Sequence, residues 1–338
     1  MKIWDQNYSE ELTTPVELCQ PGGHLNPEAM GYSRSLVHVP NLPGGPRWWG
    51  RNKRWEYWGI VTADHIIGLT IADLDYAGLL QLYLWDRRSG QDLVICEEEL
   101  LPFGRGVDLP DAVPPFTASG KGKLELIFDY GQGSDRLRLD SPRVQLDLEV
   151  MPGGDALGVV IPWSSTRFQY TVKDVARQIR GSLVVDGQTF EIDKETDFAV
   201  LDRGRGRWPY AMTWNWGAGF QRRGDHSLGL QVGAKWTAGT PGTENALFVD
   251  GDLHYFPDEL HWTYDADDEQ AHWHIEGEQL EARLEPFHLR RAQVNALIIA
   301  NKTLQAFGRW SGWAIDNDGQ RHDLDGLIGW AEEVHNRW

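Results

Sequence analysis

Two hexapeptides decide how this chain is read: DHIIGL at residues 64–69 and DHSLGL at residues 225–230. An Asp beside a His suits either half of a catalytic constellation or the corner of a hairpin that the fold needs twice. Neighbours on an extended strand point to opposite faces, so such a pair would not cooperate. Asp, in contrast, initiates turns through local hydrogen bonds. Both copies lie between an aromatic segment and one beginning Gly-Leu, and we read them as hairpin turns.

The likeness continues outward from the two hexapeptides. Upstream, Trp55-Glu56-Tyr57 matches Trp214-Asn215-Trp216. Downstream, LYLWDRRSGQDLVICEEEL resembles ALFVDGDLHYFPDEL with Asp86 over Asp250. Gln145 then falls over Gln279, Gln169 over Gln305, Gly187-Gln188 over Gly319-Gln320, and Trp208 over Trp338. The matches keep one order while their offset drifts from 161 (225 − 64) to 130 (338 − 208), the mark of an internal duplication. We divide the chain into an irregular N-terminal arm, rich in Pro and Gly, at residues 1–46, a first copy at 47–207 and a second at 208–338.

Within each copy the apolar residues alternate with period two between Gly, Asp-Gly and Pro, as in RVQLDLEV and SLVVDGQTFEID, so strands dominate and helices are scarce. Tight turns such as Asp186-Gly187 and Asp250-Gly251 favour hairpins over crossovers. Each copy has room for about eight short strands, and a sheet of that size escapes its edges by closing into a barrel with space for one small ligand. The expected fold is therefore all-β, two antiparallel barrels in tandem. A pair of β-sandwiches shares the same periodicity.

Composition narrows the partners. The 338 residues carry a net charge of −18, which disfavours nucleic acid and anionic membranes. No basic start leads into an apolar run, and no stretch approaches membrane-spanning length, so the expected address is the cytoplasm, without membrane insertion. Cys19 and Cys96 lack paired spacing and read as free thiols. The 17 Trp residues suit a barrel wall or a ligand platform. Nothing sets the oligomeric state.

RGRWPYAMTWNWGAG, TENALFVDG, LQAFGRWSG, EEVHNRW, KRWEYW and DLDYAG together resemble the bacterial family known as domain of unknown function 2804. That family is similar to tandem lipocalin-like (calycin) proteins, a group that includes carotenoid 1,2-hydratase and pericyclic or terpenoid cyclases. The resemblance implies the double barrel. It implies a small-molecule ligand and hydratase-like chemistry only at the level of the wider group, since one fold hosts many functions.

Candidate site residues come from strand parity and from places where the copies differ. Trp214 and Trp216 share one face and Asn215 takes the other; Trp55 and Tyr57 do the same around Glu56. If the aromatic face lines a barrel, it is a packing wall or a stacking platform, while Glu56 beside Lys53 and Arg54 suits an exposed ion pair or a substrate contact. Aligning Trp208 with Trp338 places Asp202, Arg203, Arg205 and Arg207 over Glu332, Glu333, His335 and Arg337. Lipocalin-like barrels often lay an Arg of the last strand across a Trp of the first, and the resemblance implies that cation–π closure for Arg207 and Arg337. Asp202 and Arg203 suit a salt bridge or a substrate clamp. Following Asp86 over Asp250, Glu244 and Asn245 fall over Leu80 and Gln81, so an acid replaces an apolar residue. Walled by aromatic rings, Glu244 would keep its proton near neutrality and serve as a general acid, with Asp202 as second carboxylate. His272 and His274 share a strand face, but no third ligand has diagnostic spacing, so no metal or other cofactor is expected.

The leading expectation is a small, largely apolar ligand, isoprenoid or lipid-like, held in a barrel cavity that admits acid-assisted hydration, cyclisation or isomerisation. A carbohydrate-active enzyme with Trp platforms and an Asp/Glu pair, and a carrier without chemistry, stay open beside it.

Overall fold

The computed structural model describes residues 10–88, 93–268, 271–296 and 299–337; Trp338, the last match of the repeat, lies outside them. Two large antiparallel sheets account for most of the chain. In the first, the hairpin strands Lys53–Val61, His65–Asp73, Ala77–Asp86 and Val94–Pro102 run in sequence order to one edge. On the other side of Lys53–Val61 lies Phe198–Arg207, the last strand of the unit. Beyond it the sheet returns through Arg167–Val185, Val144–Val150, Asp135–Asp140, Glu125–Tyr130 and Phe116–Lys121 to Val107–Asp108.

The second sheet winds the same way. Ala211–Arg223, His226–Ala234, Asn245–Val249 and Asp252–Phe256 form one wing. The last strand, Ile328–Arg337, pairs with Ala211–Arg223 and is followed by Ile299–Ile315, Leu280–Ala296, Trp273–Gly277 and His261–Thr263. In each sheet the two edge strands are consecutive in the chain: Pro102 leads to Val107, and Phe256 to His261. Five residue steps span at most roughly 18 Å, so each sheet has to curl until its edges approach. The first becomes a near-closed barrel, in which His65–Asp73 touches Val107–Asp108 and Phe116–Lys121. The second is a half-barrel.

Both DHxxGL segments sit where expected. Asp64 and Asp225 are turn residues, and the following His begins the next strand. Each His then meets the repeated Asp: His65 Nε2 lies 4.0 Å from Asp86 Oδ2, and His226 Nδ1 3.1 Å from Asp250 Oδ2. The N-terminal arm is not merely laid over the body, because Tyr32–Ser33 pairs with Leu157–Ser164 and extends the first sheet.

Three apolar cores result. One fills the first barrel around Trp58, Leu69, Leu82 and Phe128, and one fills the second around Leu230, Ile275, Trp310 and Ala331. The third lies between the barrels and beneath the arm, and includes Phe198, Trp208, Trp216, Phe220, Phe307 and Trp330. This third core explains why a strand such as HIIGLTIAD is buried along almost its whole length, where a barrel facing water would alternate. Gly59 marks a close approach across the junction: a Cβ there would sit 2.6 Å from the Trp330 ring. Gly59→Ala is expected to lower stability by about 1–3 kcal/mol through overpacking. Guanidinium unfolding checks this, and a loss below about 0.5 kcal/mol would show that the junction yields instead.

Candidate functional site

The aromatic face of the repeat is not a barrel interior. On Lys53–Val61, Trp58 and Ile60 point into the first barrel and Trp55 and Tyr57 point out of it, toward the second sheet; Trp214 and Trp216 point back. Tyr57 meets Trp216 edge to face at 5.6 Å. Trp208, on the link between the two units, is the hub of a larger cluster. It lies 5.7 Å from Trp55, 5.6 Å from Trp214, 5.0 Å from Trp163 and 5.3 Å from Trp236.

Beside this wall a buried charge cluster spans the two units. Lys173, on Arg167–Val185, pairs with Asp202 at 3.0 Å and with Glu244 of the second unit at 3.2 Å, and its Nζ lies 4.3 Å from the centre of the Trp216 ring. Trp236 Nε1 donates to Glu244, whose side chain is 1% exposed. Burial raises the Glu244 carboxyl above the usual range and Asp202 adds to this, against the opposing pull of Lys173 and the Trp236 indole. For Lys173 burial acts to lower the pKa, but the two carboxylates outweigh it and the net direction is upward.

Glu332 faces the same space. Its register partner is Trp216, as Tyr57 is the partner of Asp202, so the alignment of Asp202 with Glu332 holds in three dimensions. Trp214 Nε1 donates to Glu332 Oε1 at 3.2 Å. Burial pushes Glu332 up to about 7, against the indole hydrogen bond and the nearby charges of Arg290 and Lys173, while Asp202 adds to the rise. Among the described residues no Lys, Arg or His forms an ion pair with it. A polar row leads away from this carboxyl: Gln305 hydrogen-bonds Tyr57, and Arg290 reaches both Gln305 at 3.4 Å and Gln81 at 2.8 Å.

Six of the nine nominated residues therefore converge: Glu244, Asp202, Trp214, Trp216, Trp55 and Tyr57. Glu56, Arg203 and Asn245 do not. Glu56 is fully buried inside the first barrel, paired not with Lys53 or Arg54 but with Arg203 at 3.0 Å and Arg205 at 2.6 Å. Tyr130 completes the group by donating to Glu56 at 2.7 Å. Burial alone would raise Glu56, but the two guanidinium groups and the Tyr130 hydroxyl hold it below the usual carboxylate range. Arg203 and Asp202 are sequence neighbours on opposite faces, so they form no pair with each other. Asn245 points into the second unit, accepting from Gly233 N–H and donating to Asp258 C=O.

The misplacement of Asn245 traces to a one-residue slip. Thr70 pairs with Gln81 and Gln231 with Ala246, so Ala246 falls over Gln81 (246 − 81 = 165) and Glu244 over Leu79. A shift of one residue exchanges faces. The Gln match slips too: Lys173 pairs with Asp202 and Gln305 with Glu332, so Gln305 answers to Lys173 and not to Gln169. Arg207 does stack on aromatic rings, at 3.9 Å from Trp48 and 5.2 Å from Phe168, though not on a Trp of the first strand. His254 groups with Asp316, which is buried, and Asp318, which is exposed, and not with His272 or His274.

Sequence reasoning missed Lys173, Glu332, Gln305, Arg290 and Trp236 as site residues. Two signals were present: a lone Lys within the otherwise uncharged run FQYTVK, and the alignment that already set Glu332 over Asp202.

Fold and junction together define the class: all-β proteins built as two curled antiparallel sheets in tandem. Solved structures share this architecture. A putative AttH from Nitrosomonas europaea is similar at 13% identity and a TM-score of 0.55, over 95% of this chain and 98% of that one. CghA, crystallised with Sch210972, is similar at 10% identity and a TM-score of 0.52, over 85% and 88%. Kievitone hydratase from Nectria haematococca gives 9% identity and a TM-score of 0.48, over 89% and 94%. No curated protein matches the chain. The chain belongs to the family described as domain of unknown function (DUF2804), whose model matches residues 9–338 and so takes in the described part of the N-terminal arm.

Proposed function

We propose that the junction binds a small, largely apolar molecule and acts on it by acid assistance, as in hydration, cyclisation or isomerisation. The observation that carries this reading is Glu332: a buried carboxyl without an ion pair, titrating near neutrality, against a wall of indoles. Such a group holds a proton long enough to deliver it and gives it up readily. Protonation of a substrate alkene leaves a carbocation, and the half-buried indole of Trp214 is suited to stabilise it. Addition of water or of an internal nucleophile, or loss of a neighbouring proton, then completes the turnover and returns the proton. In this reading Glu332 takes the donor role first expected of Glu244, while Asp202, Lys173 and Glu244 fix the field around it.

A carrier without chemistry would have every junction carboxylate paired, and Glu332 is the exception. A sugar subsite needs indole faces free for stacking, whereas Trp208 is surrounded by four other indoles. CghA, crystallised with Sch210972, supports a small-molecule role for the fold. Within the same proposal the protein works in the cytoplasm.

The test combines native mass spectrometry of the purified protein with titration of its Trp fluorescence by farnesol and by cellotetraose. Saturable quenching by farnesol, weakened at least tenfold in Trp214→Ala, is the expected result. Binding of cellotetraose alone, or of neither probe with no co-purified molecule, overturns the reading.

A further inference from the structure

Away from the carboxylates, the same junction opens into a cavity of about 400 Å³ whose charged lining is entirely cationic: Arg87, Arg222, Arg223 and Arg309. Its floor is apolar, made by Val61, Phe198, Phe220 and Ile328. Val61 and Trp55 sit six residues apart on one strand, which places this mouth roughly 20 Å from the indole cluster. Among the described residues no Asp or Glu lines it.

Many arginines elsewhere on this acidic chain are matched with carboxylates, among them Arg54 with Asp111, Arg136 with Asp147, Arg177 with Asp174 and Arg203 with Glu56, while Arg207 and Arg290 are held by neutral groups. The four at this mouth have no carboxylate within 4.0 Å among the described residues. Their contacts are neutral. Arg87 donates to Thr62 C=O, Arg222 to Gly224 C=O and Arg223 to Asp325 C=O. Arg87 and Arg309 both lie over the Phe287 ring, at 5.1 and 5.7 Å, so two like charges share one small space. Burial, reinforced by the charge of Arg309, lowers the Arg87 pKa, with Asp64 opposing. Arg87 and Arg309 crowd one another at a cost in repulsion, with Arg222 and Arg223 on the same lining, and an anion between them would relieve it.

We propose that this mouth is a binding site for a small amphiphilic anion, with a carboxylate or phosphate head held by the arginine forks and an apolar body on Phe198, Phe220 and Ile328. Guanidinium groups match both heads bidentately, and the volume falls within the range of small-ligand pockets. The site is independent of the proton chemistry proposed for Glu332.

Calorimetric titration of the full chain with decanoate, decyl phosphate, decanol and inorganic phosphate tests this. Decanoate or decyl phosphate is expected to bind at least tenfold tighter than decanol, and whichever binds tighter identifies the head. Arg87→Gln/Arg309→Gln is expected to lose at least tenfold in that affinity without lowering the ligand-free Tm, since a repulsion is removed. Arg222→Gln/Arg223→Gln, at the same mouth, gives a second measure should the first variant fold poorly. Decanol binding as tightly as the anions, inorganic phosphate binding as tightly as decyl phosphate, or unchanged affinity in the folded variants would each overturn the proposal.

Discussion

Lys173→Met is expected to lower the unfolding free energy by about 3–5 kcal/mol at pH 8, the usual cost of removing one partner from a buried ion cluster. The wild-type ammonium is almost fully buried and serves two carboxylates at once. Without it Glu244 faces Asp202 inside an apolar junction, and among the described residues its remaining donor is the Trp236 indole. The carboxyl would then hold its proton to still higher pH. The penalty should therefore shrink as pH falls and Glu244, already raised by burial, takes up its proton, and grow with pH; Lys173 itself stays charged because its pKa is raised. Adding Glu244→Gln to Lys173→Met should recover most of the loss, because the uncompensated charge is gone. Denaturant unfolding at pH 5 and pH 8 measures both. A loss under 1 kcal/mol at pH 8, or no recovery in the double variant, would show that the cluster does not hold the two units together.

Glu332→Gln should separate function from stability. A carboxyl raised to about 7 in the folded protein, against 4.5 as its ordinary value, is protonated in the native state where the unfolded chain has already lost its proton. Stability then falls as pH rises through that window, and above it the native state carries a penalty of about 3 kcal/mol. Gln cannot ionise, so the variant should match the wild type near pH 4 and exceed it by up to that amount at pH 8. It should also abolish turnover of any substrate the junction converts, while a ligand still binds within a few-fold. Equal pH profiles for the two proteins would mean that Glu332 is ionised at neutrality like an ordinary surface carboxylate, and the proton-donor role would fall with it.

Much of the architecture was legible because a duplication shows itself without any knowledge of packing. The DHxxGL turns, the paired aromatic segments and the alignment of Asp202 with Glu332 all survive in the structure, and the two sheets share one winding. Where the alignment had to cross an insertion it failed by small amounts that matter greatly. Glu244 came out one residue away from its true counterpart, and in a strand one residue is the other face. Asn245 lies away from the junction for that reason. Arg203 and Glu56 lie apart for another reason: their parity separates them from Asp202 and Tyr57, and it turns them into the first barrel, where they pair with each other.

By itself, then, the sequence determined the strands, the repeat, and which side chains share a face, because alternation is a property of each strand alone. Only the tertiary structure decided which face is inside a barrel, which meets the other unit, and that Lys173 reaches across to Glu244. On strands buried on both sides the usual polar-out signal is erased, since barrel core and junction both demand apolar residues. Contact between two sheets is a relation between distant segments, and no local pattern records it.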